Sequence, residues 1–261
     1  MKSMNCVVQT EKLDFSYGER SILENLSIQM KKGLFYSIIG PNGSGKTTLL
    51  KLIARLLPTE HKRVFINGDD IDKLKPKDMA KRVSVVPQIT DMQYEFSVYD
   101  IVMMGRAPYT SRFGKANTVD EESVVKAMKE TGVYAFRDKK ITQLSGGELQ
   151  RVILARAIAQ ETEIMLLDEP ISHLDIGYQY EISELVYDLC KTKGITVINI
   201  VHDLNIAMRY SDQIFMLKDG AIYGAGKPED VITKTSIKDV YAVDVELIDH
   251  PTMKDKKVVV K

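Results

Sequence analysis

Gly40-Pro41-Asn42-Gly43-Ser44-Gly45-Lys46-Thr47 decides how the rest of this chain is read. Three glycines in six residues, followed by Lys-Thr, come directly after the apolar run Ser37–Ile39 and before the helix-like stretch Thr47–Leu57. A glycine-rich turn alone would mean little. Between a buried strand and a helix, it lets the backbone turn successive N–H groups inward and form a concave nest for an anion. The positive end of the following helix reinforces that nest. The expected anion is the phosphate chain of a nucleotide, cradled by Gly40 to Thr48. Lys46 should bridge the β- and γ-phosphates, and the Thr47 hydroxyl should ligate Mg²⁺.

Such a site needs an acid at the end of a second buried strand. Ile164-Met165-Leu166-Leu167-Asp168-Glu169 supplies one. Asp168 is expected to hold Mg²⁺, and Glu169 to polarise the attacking water as a general base. An apolar run ending in two acids is weak evidence by itself, because strands often end in solvated carboxylates. The pairing with the glycine-rich loop gives it weight.

Leu144-Ser145-Gly146-Gly147-Glu148-Leu149-Gln150 is a second anion device. Ser145 can cap the helix that follows, and Gly146 and Gly147 expose backbone N–H groups at its N-terminus. This string, with Arg151 after it and the acid-ending strand downstream, resembles the signature motif of the ATP-binding cassette (ABC) ATPases. The resemblance implies the fold of that family: a P-loop NTPase α/β core, a small antiparallel β subdomain and an inserted helical subdomain. It also implies ATP and Mg²⁺ as ligands.

Further residues follow in family order. Gln88 is similar to the Q-loop glutamine, which contacts Mg²⁺ or water. Ser172-His173-Leu174-Asp175 resembles the D-loop, so Asp175 is expected at a dimer interface. His202 resembles the switch histidine at the γ-phosphate, and Tyr17 the aromatic that stacks on adenine. The ordinary alternatives are a polar loop residue for Gln88, a helix cap for Asp175, a structural imidazole for His202 and simple packing for Tyr17. In the family, two subunits pair head to tail, and each signature closes over the partner's ATP.

Ser97-Val98-Tyr99-Asp100-Ile101-Val102-Met103-Met104-Gly105-Arg106-Ala107-Pro108-Tyr109 is similar to the iron-siderophore, haem and cobalamin branch of ABC importers. Zinc and manganese importers share Gly-Arg but less of the sequence after it. The resemblance implies a ferric siderophore as the transported solute, integral-membrane permease subunits as partners and, indirectly, a solute-binding protein. A groove near Gln88 to Gly114 is expected to receive a permease helix. Some of Tyr94, Phe96, Tyr99, Met103, Met104, Tyr109 and Phe113 are expected to line it, with Arg106 or Arg112 at its rim. Two features depart from the family pattern. Pro58–Val64 is one residue longer and lacks a turn glycine, and Ile171 replaces the usual Thr or Ser.

The 261 residues suit one ABC ATPase domain, with a helical insert at 91–142 and a C-terminal extension at 228–261. Lys plus Arg equals Asp plus Glu, 36 each, which gives no support to a nucleic-acid binder that relies on bulk positive charge. No apolar run approaches the roughly 18 residues that span a bilayer, and Met1 to Thr10 does not read as a signal peptide. The expected place is therefore the cytoplasmic face of the membrane, as a peripheral subunit. Cys6 and Cys190 form no metal or redox spacing, and Cys190 reads as core. Soluble non-transport ABC ATPases usually carry a coiled-coil insertion or two cassettes, and this chain has neither. The Asn-Lys-x-Asp string of a GTPase is also absent, and intact Lys46, Asp168, Glu169 and His202 oppose a purely regulatory cassette.

Overall fold

The computed structural model describes residues 5–59, 62–88, 95–110, 117–172, 174–249 and 256–260. It begins with strands β1 (Cys6–Thr10), β2 (Leu13–Tyr17), β3 (Arg20–Leu26), β4 (Gln29–Lys31) and β5 (Phe35–Ile39). Helix α1 (Lys46–Ile53) and the short strands β6 (Val64–Ile66) and β7 (Asp69–Asp70) follow. Next come α2 (Pro76–Ala80), β8 (Val83–Val86), α3 (Val98–Met103), α4 (Thr118–Glu130), α5 (Gly146–Ala159), β9 (Ile164–Asp168) and α6 (Ile176–Lys193). The chain continues through β10 (Thr196–Ile200), α7 (Leu204–Tyr210), β11 (Gln213–Lys218), β12 (Ala221–Gly226), α8 (Pro228–Val231) and α9 (Lys234–Tyr241). It closes on the hairpin β13 (Val245–Asp249) and β14 (Lys256–Val260). Two compact units emerge: Met1–Leu74 with Val186–Lys261, and Lys75–Leu185.

In the first unit, β10 and β11 flank β5 in parallel, and β12 pairs antiparallel with β11. All five residues of β5 and of β10 are buried. Their nearly continuous apolar sequences are what a parallel strand covered on both faces requires. A separate antiparallel sheet runs β4-β1-β6-β7, and β2 and β3 form a hairpin of their own. Asn67 and Gly68 both take positive φ at the β6–β7 turn, as a two-residue hairpin demands, so a hairpin forms just after the lengthened Pro58–Val64 stretch. Residues 60 and 61 of that stretch lie outside the described residues. Cys190 is buried, and desolvation pushes its thiol up to about 11, which suits a core residue rather than a reactive one.

An expected boundary moves. The helix read as Thr47–Leu57 spans Lys46–Ile53 and is not stopped by Pro58. Arg55 enters the left-handed region at φ 56, its N–H bonds Leu52 O, and Leu56 N–H bonds Lys51 O. That Schellman arrangement satisfies the terminal carbonyls before the proline is reached. Strands β1, β3, β6, β7 and β12 were not anticipated.

In the second unit, β8 and β9 are parallel neighbours. The stretch between them holds α3, α4 and α5. Ser97 caps α3 and Asn117 caps α4, each in a reciprocal capping box with the aspartate three residues on. The Gly105-Arg106 pair fits against the C-terminal end of α5. A Cβ on Gly105 would lie 2.3 Å from Arg156 O, so only glycine permits that approach. Arg106 was expected at a groove rim and is instead buried. Its guanidinium donates to Ala159 O at 2.7 Å, Asp120 Oδ1 at 2.9 Å and Glu161 Oε2 at 2.8 Å. Its plane lies 4.0 Å from the centre of the Tyr109 ring. Tyr109 is correspondingly tied down, with its hydroxyl donating to Gln160 O at 2.9 Å. Arg112, Phe113 and Tyr94 lie outside the described residues.

Arg106 and Asp120 are both buried, so removing one partner strands the other without solvent. Arg106→Met should lower stability in urea unfolding by about 3–5 kcal/mol, and the double variant Arg106→Met/Asp120→Asn should recover part of it. A single variant within about 0.5 kcal/mol of wild type, the range of an ordinary surface change, would show that this staple contributes little.

Candidate functional site

In the first unit, strand register decides what stands at the sheet edge. Ile38 of β5 pairs with Ile200 of β10. Two residues beyond that pair stand Gly40 on one strand and His202 on the other. The loop and the histidine therefore share the carboxyl edge of the parallel sheet, where open α/β sheets bind ligands.

The Gly40–Thr47 loop has the conformation a nest requires. Gly40, Gly43 and Gly45 all have positive φ, at 149°, 82° and 97°. A Cβ on Gly40 would lie 2.3 Å from Leu217 O, and one on Gly45 would lie 2.5 Å from Leu23 Cδ2, so side chains are excluded at both ends. Gly43 has nothing within 4 Å of such a position and faces open space. Pro41 is half-buried, Asn42 is exposed, and Ser44 and Thr48 are buried. Lys46 is buried and donates from Nζ to Gly40 O at 2.9 Å and Pro41 O at 3.0 Å. This draws the ammonium over its own loop. Ser44 Oγ is buried with no hydrogen-bond partner among the described residues. A concave backbone, a captive cation and an unpartnered hydroxyl fit a phosphate chain.

Tyr17 ends β2, half exposed, with its ring edge-on to Phe15 at 4.9 Å. Its hairpin partner β3 supplies the Ile22 and Leu23 atoms that press on Gly45. The aromatic is therefore carried by the hairpin that walls the loop. His202 is exposed, and Asp203 next to it caps α7 by accepting from Asn205 and Ile206 N–H.

The second unit repeats the register logic. Val86 of β8 pairs with Leu167 of β9, and two residues beyond stand Gln88 and Glu169. Gln88 Nε2 donates to Glu169 Oε2 and to Ser172 Oγ, both at 3.4 Å. Asp168 closes the strand and is buried. Glu169 takes φ 51, a left-handed conformation costly for a residue with a Cβ. Ser172 holds the turn, since its N–H and hydroxyl both donate to Glu169 O, at 3.2 and 2.9 Å. No feature of the sequence announced that strain or that role for Ser172.

Ser145 caps α5 as expected, and Glu148 completes the box from the N3 position. Hydrogen bonds from the Ser145 N–H and then its hydroxyl hold the Glu148 carboxyl below its ordinary range. The two glycines differ. A Cβ on Gly147 would lie 2.8–3.0 Å from three atoms of the Tyr178 ring, whereas one on Gly146 meets only Leu174 Cδ2, at 3.9 Å. Gly147 is thus fixed by packing, and Gly146 presents its face outward. Asp175 is exposed and accepts from Tyr178 N–H at 3.1 Å, so it starts α6. His173 lies outside the described residues. Neither Tyr178 nor its contact with Gly147 was legible from the sequence.

This asymmetry has a measurable consequence. Gly147→Ala should destabilise by about 1–3 kcal/mol through overpacking. Gly146→Ala should be neutral or slightly stabilising, because alanine favours a helix over glycine by up to about 1 kcal/mol. Thermal denaturation of both variants, and of Gly147→Ala/Tyr178→Leu as the rescue, checks the assignment. Equal losses at the two glycines would contradict it.

The chain is similar to known proteins in sequence and in fold. Residues 23–172 match the ABC transporter family model. The iron(3+)-hydroxamate import ATP-binding protein FhuC of Bacillus subtilis (strain 168) is 39% identical over 244 residues, covering 94% of this chain and 91% of that protein. A solved metal-chelate type ABC transporter in an inward-facing conformation superposes with a TM-score of 0.86 at 25% identity, covering 99% of this chain and 98% of its own. The dimeric ATP-binding cassette MJ0796, bound to ADP and Pi after hydrolysis, superposes with a TM-score of 0.73 at 28% identity, covering 85% of this chain and 98% of its own. The family match over more than half the chain, with FhuC aligned along nearly all of it, places this chain in the ABC transporter family as an ATP-binding subunit that hydrolyses ATP.

Proposed function

We propose that this chain drives uptake of a ferric siderophore, pairing head to tail with a second copy beneath integral-membrane permease subunits. A solute-binding protein would deliver the solute to those permeases. The observation that carries the reading is the presence of two anion-binding devices in one chain, the Gly40–Thr47 nest and the outward Gly146 at the start of α5. One nucleotide needs one nest. A second device is explained if it serves the ATP of another copy.

The geometry of each unit supports the following roles. Lys46 compensates charge on the β- and γ-phosphates from its place over the loop. Tyr17 stacks on adenine. Glu169, fixed by its strained turn and oriented by Gln88, takes the proton of the attacking water, and His202 meets the γ-phosphate. Thr47, Asp168 and the Gln88 side-chain oxygen are hard oxygen donors suited to Mg²⁺, which would neutralise phosphate charge. Ser145, Gly146, Gly147 and Asp175 face the partner copy. The 91–142 stretch acts as the helical subdomain, where exposed Phe96 and Met104 are better permease contacts than Arg106 or Tyr109. No described helix is long and apolar enough to cross a membrane, so attachment at the cytoplasmic face would come through the permease.

Mixing two defective variants tests the shared site. Lys46→Ala should lose ATP binding, and Gly146→Asp should bind ATP yet fail to dimerise, because its carboxylate repels the partner's γ-phosphate. Together they form one composite site free of both changes, so ATPase activity should partly return. An activity equal to the sum of the two alone would sink the head-to-tail arrangement.

Membrane vesicles holding the cognate permease test the solute. Wild-type protein should support ATP-dependent uptake of ferric hydroxamate. Glu169→Gln should assemble and bind ATP, but turn over about 10²–10⁴ times more slowly. Transport of zinc, manganese or cobalamin, with none of the ferric chelate, would overturn the proposed substrate.

A further inference from the structure

One aromatic ring in the second unit joins both segments that a head-to-tail arrangement turns towards a partner copy, the first turn of α5 and the turn at Asp175. Tyr178 lies in the first turn of α6 and meets α5 at two positions one helical turn apart. A Cβ on Gly147 would lie 2.8 Å from its Cδ1 and 2.9 Å from its Cγ, so one side of the ring lies directly against that glycine. The Arg151 guanidinium, four residues further along α5, lies 5.2 Å from the ring centre. Arg151 also pairs with Glu181, three residues past Tyr178. Two positions on each helix thus interlock, at the i,i+4 and i,i+3 spacings that put neighbours on one helix face.

The same residue is tied to the other segment through its backbone. Its N–H donates to Asp175 Oδ1 at 3.1 Å, the Gln179 N–H donates to Asp175 O at 3.0 Å, and Gln179 Nε2 donates to Leu174 O at 2.9 Å. Leu174 in turn has the side chain nearest Gly146, 3.9 Å from where a Cβ would stand. Gly146 and Asp175 are both exposed, and Ile176 beside Asp175 is 73% exposed. Any apolar side chain could fill space between two helices. A glycine against a flat ring does more, since it lets the α5 backbone approach α6 more closely than a pair of side chains would. The spacing between Gly146 and Asp175 is fixed by that approach.

We propose that Tyr178, clamped by Arg151, is a positioning residue for the ATP of the partner copy. Its ring sets the signature glycines against Asp175, so that both meet the partner as one piece. The inference rests on the head-to-tail reading of the Gly146 face. The Gly40–Thr47 loop contributes no residue to this contact, so loss of the ring leaves nucleotide binding by a single copy unchanged. Without the ring, the first turn of α5 samples other positions, and the rate falls with the fraction of molecules whose signature is correctly placed. The defect is therefore felt at the partner's nucleotide, not at the variant's own loop.

Tyr178→Leu in the full chain removes the flat ring and keeps apolar bulk. Its ATP Kd should stay within about twofold of wild type, while its ATPase rate falls about three- to tenfold. Tyr178→Phe keeps the ring and the backbone bond, so it should retain the wild-type rate. The deciding measurement is a mixture with Lys46→Ala. The mixed dimer has one site built from the intact loop of the Tyr178→Leu copy and the intact signature of the Lys46→Ala copy. The mixture should therefore exceed the sum of the two variants assayed alone. Where Tyr178→Leu fails to fold, Arg151→Met decides by the same mixture, since it removes the stacked cation, leaves the ring, and should show a smaller loss with the same recovery. A wild-type ATPase rate in Tyr178→Leu overturns the proposal. So does a mixture that gives no more than the sum while Gly146→Asp with Lys46→Ala recovers, because the defect then lies in the variant's own site. No recovery in that Gly146→Asp mixture overturns the head-to-tail reading and this inference with it.

Discussion

The register of the parallel strands is the constraint on which the candidate site depends. Ile38 pairs with Ile200, and Val86 pairs with Leu167. Counting two residues past each member reaches Gly40, His202, Gln88 and Glu169. Gly40 and His202 thus fall at equivalent heights in the first unit, and Gln88 and Glu169 in the second, although each pair is separated by more than 80 positions of sequence. A one-residue slip in either pair would turn a buried side chain outward and carry its site residue away from the edge. Complete burial of β5, β9 and β10 makes such a slip costly, since both faces are covered. The apolar content of these strands thus fixes where the candidate site residues of each unit stand.

Register alone leaves flexible loops at the strand ends, and each loop is fixed by bonds to its own backbone. Lys46 closes one by holding the Gly40 and Pro41 carbonyls, and Ser172 closes the other by holding Glu169 O. The two solutions differ in cost. Glycine accepts positive φ without penalty, whereas Glu169 adopts it against its own Cβ. The role proposed for Glu169 requires a carboxylate, which glycine cannot supply, so the turn carries the strain and Ser172 offsets it. The carboxylate direction is then set by the Gln88 amide. A general base gains from such fixed orientation, because the water it polarises must sit in one place.

The strands that carry the site and the glycine-rich loops were legible because their signals are local. A continuous apolar run, a Gly-x-x-x-x-Gly-Lys-Thr spacing and a Ser–Glu capping box each fit within a few neighbours. The roles of Tyr178 and Ser172 were not legible. Gly147 and Tyr178 are far apart in sequence, and nothing in either residue shows that a ring will lie under the glycine. Arg106 shows the opposite failure. The sequence marked it correctly as distinctive, but an arginine in an aromatic-rich stretch reads equally well as a surface anchor or a buried staple. Its partners decide between them, and Asp120, Ala159 and Glu161 lie up to 55 residues away. The end of α1 was misplaced for a similar reason, since Arg55 in a left-handed cap looks like an ordinary helical residue until its φ is known.

The staple also changes what the Gly-Arg-x-Pro-Tyr string means. Gly105 lets the chain approach Arg156 O, Arg106 caps Ala159 O, and Tyr109 reaches Gln160 O, so three of its residues close on the last turn of α5. The first turn of the same helix carries Ser145, Gly146 and Gly147. A cation at the C-terminus opposes the negative end of the helix dipole, while the N-terminus stays positive and presented to an anion. One rigid rod therefore links the string typical of the importer branch to the motif typical of the whole family. A force on exposed Met104, next to Gly105, would be passed along α5 to the signature glycines, not lost in a soft loop. The string is thus a mounting for α5, with its arginine buried and Met104 left exposed.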